Sequence, residues 1–429
     1  MPPLGLARRR NPWLVWCVDK FRSPFAPATM CLVFGFVAAI RAGSTLKFPD
    51  ERDYDSIARN IADHGRFSFD GVHPTSLRPP GYPVFLGALR LARLGVVGER
   101  MGGAVLLAAS IVLLHHVLCR VYGSSTAIAA SWVTALYPLL LYTATRLYPQ
   151  SLALLLLLLT LFAATTAIAA PTPAVRSAWS GFGGLSAGAL LLTVPALGVV
   201  LVLAAILLLA LEGRRWVHVL VPAAIAGLLL PSLWTVRNAV TMDAFVPIST
   251  NSGYNLLIGN SENATYSGGV ATDISKYTQY AEAHEFNEVE ANDYYQRSAV
   301  KWATHHPGRA TVLYLQKVAY HFAYKNRLAT SEESTGARGL VAAVTYLPFL
   351  LLFGVRLARA VSSRHRLSHA ELIVVSLVLG NALIEALTTT RVRYRLPLDP
   401  LMIGVALSVF FAATARPAAS GAEPTPRVG

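Results

Sequence analysis

The chain has 429 residues, 54% of them hydrophobic and only 14% charged, a balance that excludes an ordinary soluble domain and makes the bilayer the better solvent. Its formal net charge of +14 would point to nucleic acid if spread over a surface, but residues 47–100 and 236–335 hold 17 of the 23 acids and only 16 of the 37 bases. The other 21 bases face 6 acids and cluster at the ends of apolar stretches, where bases orient a membrane protein.

In chain order, the sequence predicts an all-α polytopic membrane protein. A cytoplasmic segment covers 1–27, and the first apolar run lacks a small-residue cleavage site, so it is expected to stay as an anchor. Ten spans follow within a transmembrane domain over 28–415, at about 28–46, 101–121, 124–145, 149–170, 177–194, 195–212, 216–235, 338–356, 369–388 and 396–415. A Pro- and Ala-rich tail over 416–429 is expected to be disordered. Ten spans put both termini on one side. With the N-terminus in the cytoplasm, the basic residues of 8–22, 120, 176, 214–215, 356–366 and 416–427 all fall inside. Segments 47–100 and 236–335 then become two large extracytoplasmic loops.

In the first loop, Tyr54, Ile57, Ala58, Ile61 and Ala62 recur at helical spacing, predicting an amphipathic helix at the interface that Gly65 ends. Arg78-Pro79-Pro80-Gly81-Tyr82-Pro83 reads as a rigid turn. Residues 84–97 are apolar but interrupted by Arg90 and Arg93, which favours a juxtamembrane segment over an eleventh span. In the second loop, 277–305 predicts a polar helix and 307–326 an amphipathic one opened by Pro307. Cys17, Cys31 and Cys119 are too few for a disulfide framework and read as free thiols.

Two constellations could carry chemistry. Asp50, Glu51, Asp53 and Asp55 follow the first span; desolvation there would suit a general base, while plain helix capping explains them as well. Arg391, Arg393 and Arg395 run against the inside preference of bases, which binding the phosphate of a lipid carrier would explain, as would lipid headgroups or pairing with acids such as Glu332. Arg78 and Arg237 are further cations of the same kind, and Glu385 is expected in a structural salt bridge. His284-Glu285-Phe286-Asn287-Glu288 lacks the second histidine of a zinc-protease helix, and the adjacent pairs at 115–116 and 305–306 diverge on a helix. The glycines of 181–188 read as helix packing rather than phosphate binding.

Taken in order, these motifs resemble the GT-C membrane glycosyltransferases, in particular the bacterial relatives of dolichyl-phosphate-mannose protein mannosyltransferases and aminoarabinose transferases. The resemblance is carried by Pro49-Asp50-Glu51 with Tyr54, the Arg78 to Pro83 turn, Trp234-Thr235-Val236-Arg237-Asn238, Gly253-Tyr254-Asn255 with Gly259-Asn260, and Arg393-Tyr394-Arg395-Leu396-Pro397-Leu398-Asp399-Pro400. It implies transfer of a sugar from a polyprenyl phosphate to an acceptor hydroxyl on a lipid, glycan or protein at the outer face of a bacterial inner membrane. It also implies Asp50 as the catalytic acid residue, Glu51 as its helper or a metal contact, the arginines on the leaving phosphate, and Tyr54, Tyr82 and Tyr394 in the substrate pocket. Gln150 and Val194 stand where many relatives have Glu and Arg, which leaves the sugar and any divalent metal ion open. A polysaccharide ligase or polymerase using a lipid diphosphate, and a transporter or flippase, are the competing readings; the latter would show repeated halves and interrupted spans, which the sequence lacks.

Overall fold

The computed structural model describes residues 23–326, 336–362 and 366–411; the expected cytoplasmic bases of 1–22, Arg364, Cys17, Glu332 and the tail over 416–429 lie outside the described residues. Among the described residues the fold is all helical, with one isolated bridge between Ser68 and Pro74. The helices are α1 (Phe25–Ala42), α2 (Pro49–His64), α3 (Gly81–Leu91), α4 (Val96–Tyr122), α5 (Ser124–Ala135), α6 (Pro138–Ala144), α7 (Gln150–Ile168), α8 (Pro173–Leu191) and α9 (Pro195–Glu212). They continue as α10 (Val217–Met242), α11 (Ser252–Gly259), α12 (Ser275–Ala283), α13 (Glu288–His305), α14 (Pro307–His321), α15 (Gly336–Ser362), α16 (His369–Glu385), α17 (Val392–Arg395) and α18 (Asp399–Phe411).

Five of these, α1, α4, α7, α10 and α15, are long and apolar enough to cross a membrane, and the pair α5 and α6 makes a sixth if taken as one span. That pair bends by 59°, because Pro138 opens α6 and holds Tyr137 in an extended conformation that ends the preceding helix. The sequence expectation of ten spans differs at α8, α9, α16 and α18, for physical reasons. Four glycines dilute the apolarity of α8, α9 is apolar over only Pro195–Leu211, α16 has 17 residues with acids near both ends, and α18 is described for 13. Only 6% of the apolar window of α10 and 11% of that of α15 is buried within the protein. Ile225, Leu228, Leu229 and Leu233 therefore face outward as a continuous apolar surface that lipid, not water, would cover.

The main core gathers Leu107, Ile111 and Leu114 of α4, Leu154 and Leu157 of α7, Val200 of α9, Leu377 of α16, and Leu401 and Val405 of α18. Beside it α8 and α10 touch backbone to backbone: a Cβ on Gly184 would overlap the carbonyl of Ala223, and one on Gly188 that of Gly227. This is the packing use of small residues expected for 181–188. Gly184→Val is expected to part the two helices and destabilise the protein by roughly 1–3 kcal/mol, read as a lower thermal midpoint in detergent. An unchanged midpoint would contradict the contact.

Above the bundle, Tyr54 and Ala58 of α2, Tyr82 and Leu86 of α3, and Leu147 form a second core. Residues 84–97 do not make one span: α3 ends at Leu91 and α4 starts at Val96. The basic interruption explains why, since Arg90 pairs with Asp55 of α2 and with Glu99 of α4, binding all three helices. The single helix expected over 277–305 is instead split. Glu285 takes a left-handed conformation with φ 51°, and Asn287 caps α13, its Oδ1 accepting from the backbone of Val289 and Glu290 while Glu290 accepts from Asn287 N. The expected amphipathic helix over 307–326 ends at His321. Glu288 joins the loops, Oε2 accepting from Thr75 Oγ1 at 2.6 Å and Oε1 from Ser76 N at 2.9 Å and Thr250 Oγ1 at 2.5 Å.

Candidate active site

Pro49 opens α2, and Asp50 follows in its first turn, where unpaired backbone N–H groups favour an anion. Asp53 is one turn on and shares that face. From the same loop, Arg78 Nη2 donates to Asp50 Oδ1 at 2.7 Å and to Asp53 Oδ2 at 2.6 Å. From the far end of the chain, Arg393 Nη2 donates to Asp50 Oδ2 at 2.5 Å. The two constellations that were separate in sequence thus meet on one carboxylate.

The second loop sets the approach to Arg393. Gly259 of α11 lies so close to the carbonyl of Thr388 that a Cβ would overlap it. Asn260 Nδ2 donates to Leu387 O at 2.7 Å, and the buried Lys317 ammonium to Gly259 O at 3.1 Å and Thr388 O at 2.8 Å. The guanidinium of Arg393 then lies 4.5 Å from the ring centroid of Tyr148 and 5.4 Å from that of Tyr394, while Arg78 lies 5.5 Å from that of Tyr54. Tyr82 packs edge-on against Tyr54 at 5.2 Å. The side chains of Arg78, Asp50 and Arg393 are 16%, 21% and 27% exposed, so the centre is shielded yet open to a ligand.

Burial raises the Asp50 carboxyl, but Arg393 and Arg78 together outweigh it and hold the group below the usual carboxylate range. Asp50 is therefore ionised at neutral pH. The Tyr54 phenol is pushed up to about 12 by burial and stays a hydrogen-bond donor. Arg393 Nε is buried without a hydrogen-bond partner, which leaves the guanidinium with unused donor capacity.

Other expected site residues stand elsewhere. The fully buried Glu51 accepts from Lys47 N, Phe48 N and Leu147 N and lies 3.5 Å from Arg100, fastening α2 to the turn before α7. Arg395 turns into the core, 3.5 Å from the Tyr346 ring centroid and 3.6 Å from Asp399. The Arg391 side chain lies against Gly269. Arg237 donates to the carbonyls of Thr75 and Phe67 at 2.8 and 3.1 Å and bonds neither Asp50 nor Arg393. Glu385 is buried with no ion pair within 4.0 Å among the described residues, since Arg393 takes Asp50 instead.

Sequence reasoning missed Tyr148, which stacks on Arg393, and Arg146, whose Nε and Nη1 are buried without hydrogen-bond partners. The available signal was an arginine and a tyrosine immediately before a span. Among the described residues no three His, Cys, Asp or Glu side chains converge as a metal-ion site, and the carboxylates of Asp50 and Asp53 are bridged by Arg78. The chain matches no known family model and no curated protein.

Proposed function

We propose that this protein is a membrane glycosyltransferase of GT-C architecture that moves a sugar from a polyprenyl phosphate to an acceptor hydroxyl. The observation that supports it most is the pair Asp50 and Arg393, a base and a phosphate-binding cation in contact beside apolar helices. In this reading α8, α9, α16 and α18 join the five long helices and the bent pair as spans of a bacterial inner membrane. Both termini are cytoplasmic and the site lies on the outer face. A lipid-borne donor accounts for a site at the head of apolar helices in a fold that is all helical among the described residues.

Asp50 takes the proton of the attacking hydroxyl as the acceptor oxygen bonds to the anomeric carbon. The bond from that carbon to the phosphate oxygen breaks, and polyprenyl phosphate leaves with its charge on Arg393 and Arg78. When the arginines turn to the phosphate, Asp50 loses the partners that depress its basicity, so donor binding itself prepares the base. Glu51 holds the start of α2 in place, and the proton passes from Asp50 to solvent. Membrane vesicles containing the protein, given radiolabelled sugar on polyprenyl monophosphate, polyprenyl diphosphate or a nucleotide, are expected to transfer label from the monophosphate alone. Transfer from the diphosphate alone would favour a ligase or polymerase, and no transfer from any donor would sink the transferase reading.

A further inference from the structure

At the end of the bundle away from Asp50, α4, α7 and α8 leave an open apolar groove with a cation at its head. The groove has a volume of about 410 Å³ and is lined by Leu113 of α4, Leu159 and Phe162 of α7, and Ala178, Trp179 and Phe182 of α8; ligand clefts span roughly 300–1,000 Å³. Of these side chains only the Trp179 indole carries a polar atom. The Arg120 guanidinium lies 4.5 Å from the ring centroid of Phe162, and Phe162 meets Trp179, and Trp179 meets Phe182, edge-on at 5.9 Å. The hydrogen bonds of Arg120, to Phe162 O, Thr165 Oγ1 and Thr166 Oγ1, all run through Nη1, which leaves Nε and Nη2 for a ligand. α7 ends at Ile168 and α8 begins at Pro173, so Arg176, in the first turn of α8 and one turn before Trp179 on the same face, stands at this end too. Leu113 precedes Arg120 by about 10 Å along α4, most of the roughly 15 Å of hydrocarbon in one leaflet.

Apolar walls with a guanidinium at one end fit a fatty chain that ends in an anion. Residues 100–211 contain no aspartate or glutamate, so these helices offer Arg120 and Arg176 no carboxylate, and offer the ammonium of a zwitterionic headgroup no counter-charge. That difference selects lipids of net negative charge. The groove is also remote from the donor pocket. Arg100, near the start of α4, lies 3.5 Å from Glu51, the neighbour of Asp50, and Arg120 stands about 30 Å further along the same helix, the thickness of a bilayer's hydrocarbon core. We propose that the groove seats one chain of an anionic glycerophospholipid of the opposite leaflet, with the headgroup phosphate held by Arg120 and Arg176. The inference needs these helices to cross a membrane and does not rest on the transferase reading.

The test is native mass spectrometry of the full-length protein in detergent, titrated separately with dioleoyl phosphatidylglycerol, dioleoyl phosphatidylcholine, undecaprenyl phosphate and glycerol 1-phosphate. Phosphatidylglycerol is expected to bind about tenfold more tightly than phosphatidylcholine, and glycerol 1-phosphate not to displace it. Arg120→Gln and Arg176→Gln are each expected to weaken phosphatidylglycerol binding on the order of fivefold. Ala178→Trp, which fills the groove and leaves both charges, is expected to weaken it about tenfold. Ala178 is exposed, so this variant keeps the test open if Arg120→Gln does not fold, and thermal midpoints without added lipid separate lost binding from lost folding. Equal affinity for the two phospholipids, tighter binding of undecaprenyl phosphate at the same residues, displacement by glycerol 1-phosphate, or affinity unmoved by Ala178→Trp overturns the proposal. Phosphatidylglycerol binding in a protein that transfers no sugar would leave the lipid seat standing and sink only the transferase reading.

Discussion

Asp50→Asn is expected to lower sugar transfer by about 10²–10⁴-fold while the protein accumulates and folds as before. Asparagine keeps the size and the position in the first turn of α2 but accepts no proton at neutral pH. Its loss leaves Arg78 and Arg393 without a shared anion, yet both guanidinium groups reach water, being 16% and 27% exposed. Their unpairing is therefore far less damaging than that of a sealed ion pair. Transfer and thermal midpoint measured on the same preparation separate the two effects. Full activity in the asparagine variant would remove Asp50 from the chemistry.

Arg393→Ala is expected to reduce transfer by about 10²–10³-fold, with a higher KM for the donor. Arg393→Lys should recover only part, because lysine keeps the charge but neither forks around a phosphate nor offers a planar group to the rings of Tyr148 and Tyr394. The pH profile gives an independent readout. In the wild type Asp50 lies below the usual carboxylate range, so kcat/KM stays constant as pH falls to that range and drops only below it. With Arg393 gone, the largest lowering influence disappears, burial prevails further, and the acid limb of the residual activity moves to higher pH. The same sign governs stability: the contribution of the ionised Asp50 is complete above its unfolded pKa and is lost as pH falls through the depressed folded value. An acid limb that does not move would mean that Arg393 is not the partner that tunes Asp50.

The membrane character and most helix positions could be read from apolar runs, because twenty consecutive apolar residues have few other uses. The break at Tyr137 and Pro138 was legible in principle from the proline, and the start of α13 from Asn287 followed three residues later by Glu290. Both were overridden by the surrounding helical pattern. At the candidate site, the sequence named Asp50, Arg78 and Arg393, which the structure brings into contact, but could not rank the three neighbouring arginines. The structure supplies the reason. Val392–Arg395 is a helical turn, and residues two apart on a helix point about 200° from one another, so Arg393 and Arg395 cannot face the same carboxylate. Tyr148 and Arg146 left only the weak signal of an arginine and a tyrosine just before a span, since their place depends on how the turn between α6 and α7 sits over α2.

Glu288 has a consequence for motion. Its carboxylate bonds Thr75, Ser76 and Thr250, so segments far apart in the chain are pinned to one side chain at the head of α13. The two stretches are thereby tied into a single unit, not left as independent flaps. On the transferase proposal, a greasy donor tail would gain no admission by parting them and would slide in sideways, beneath their common edge.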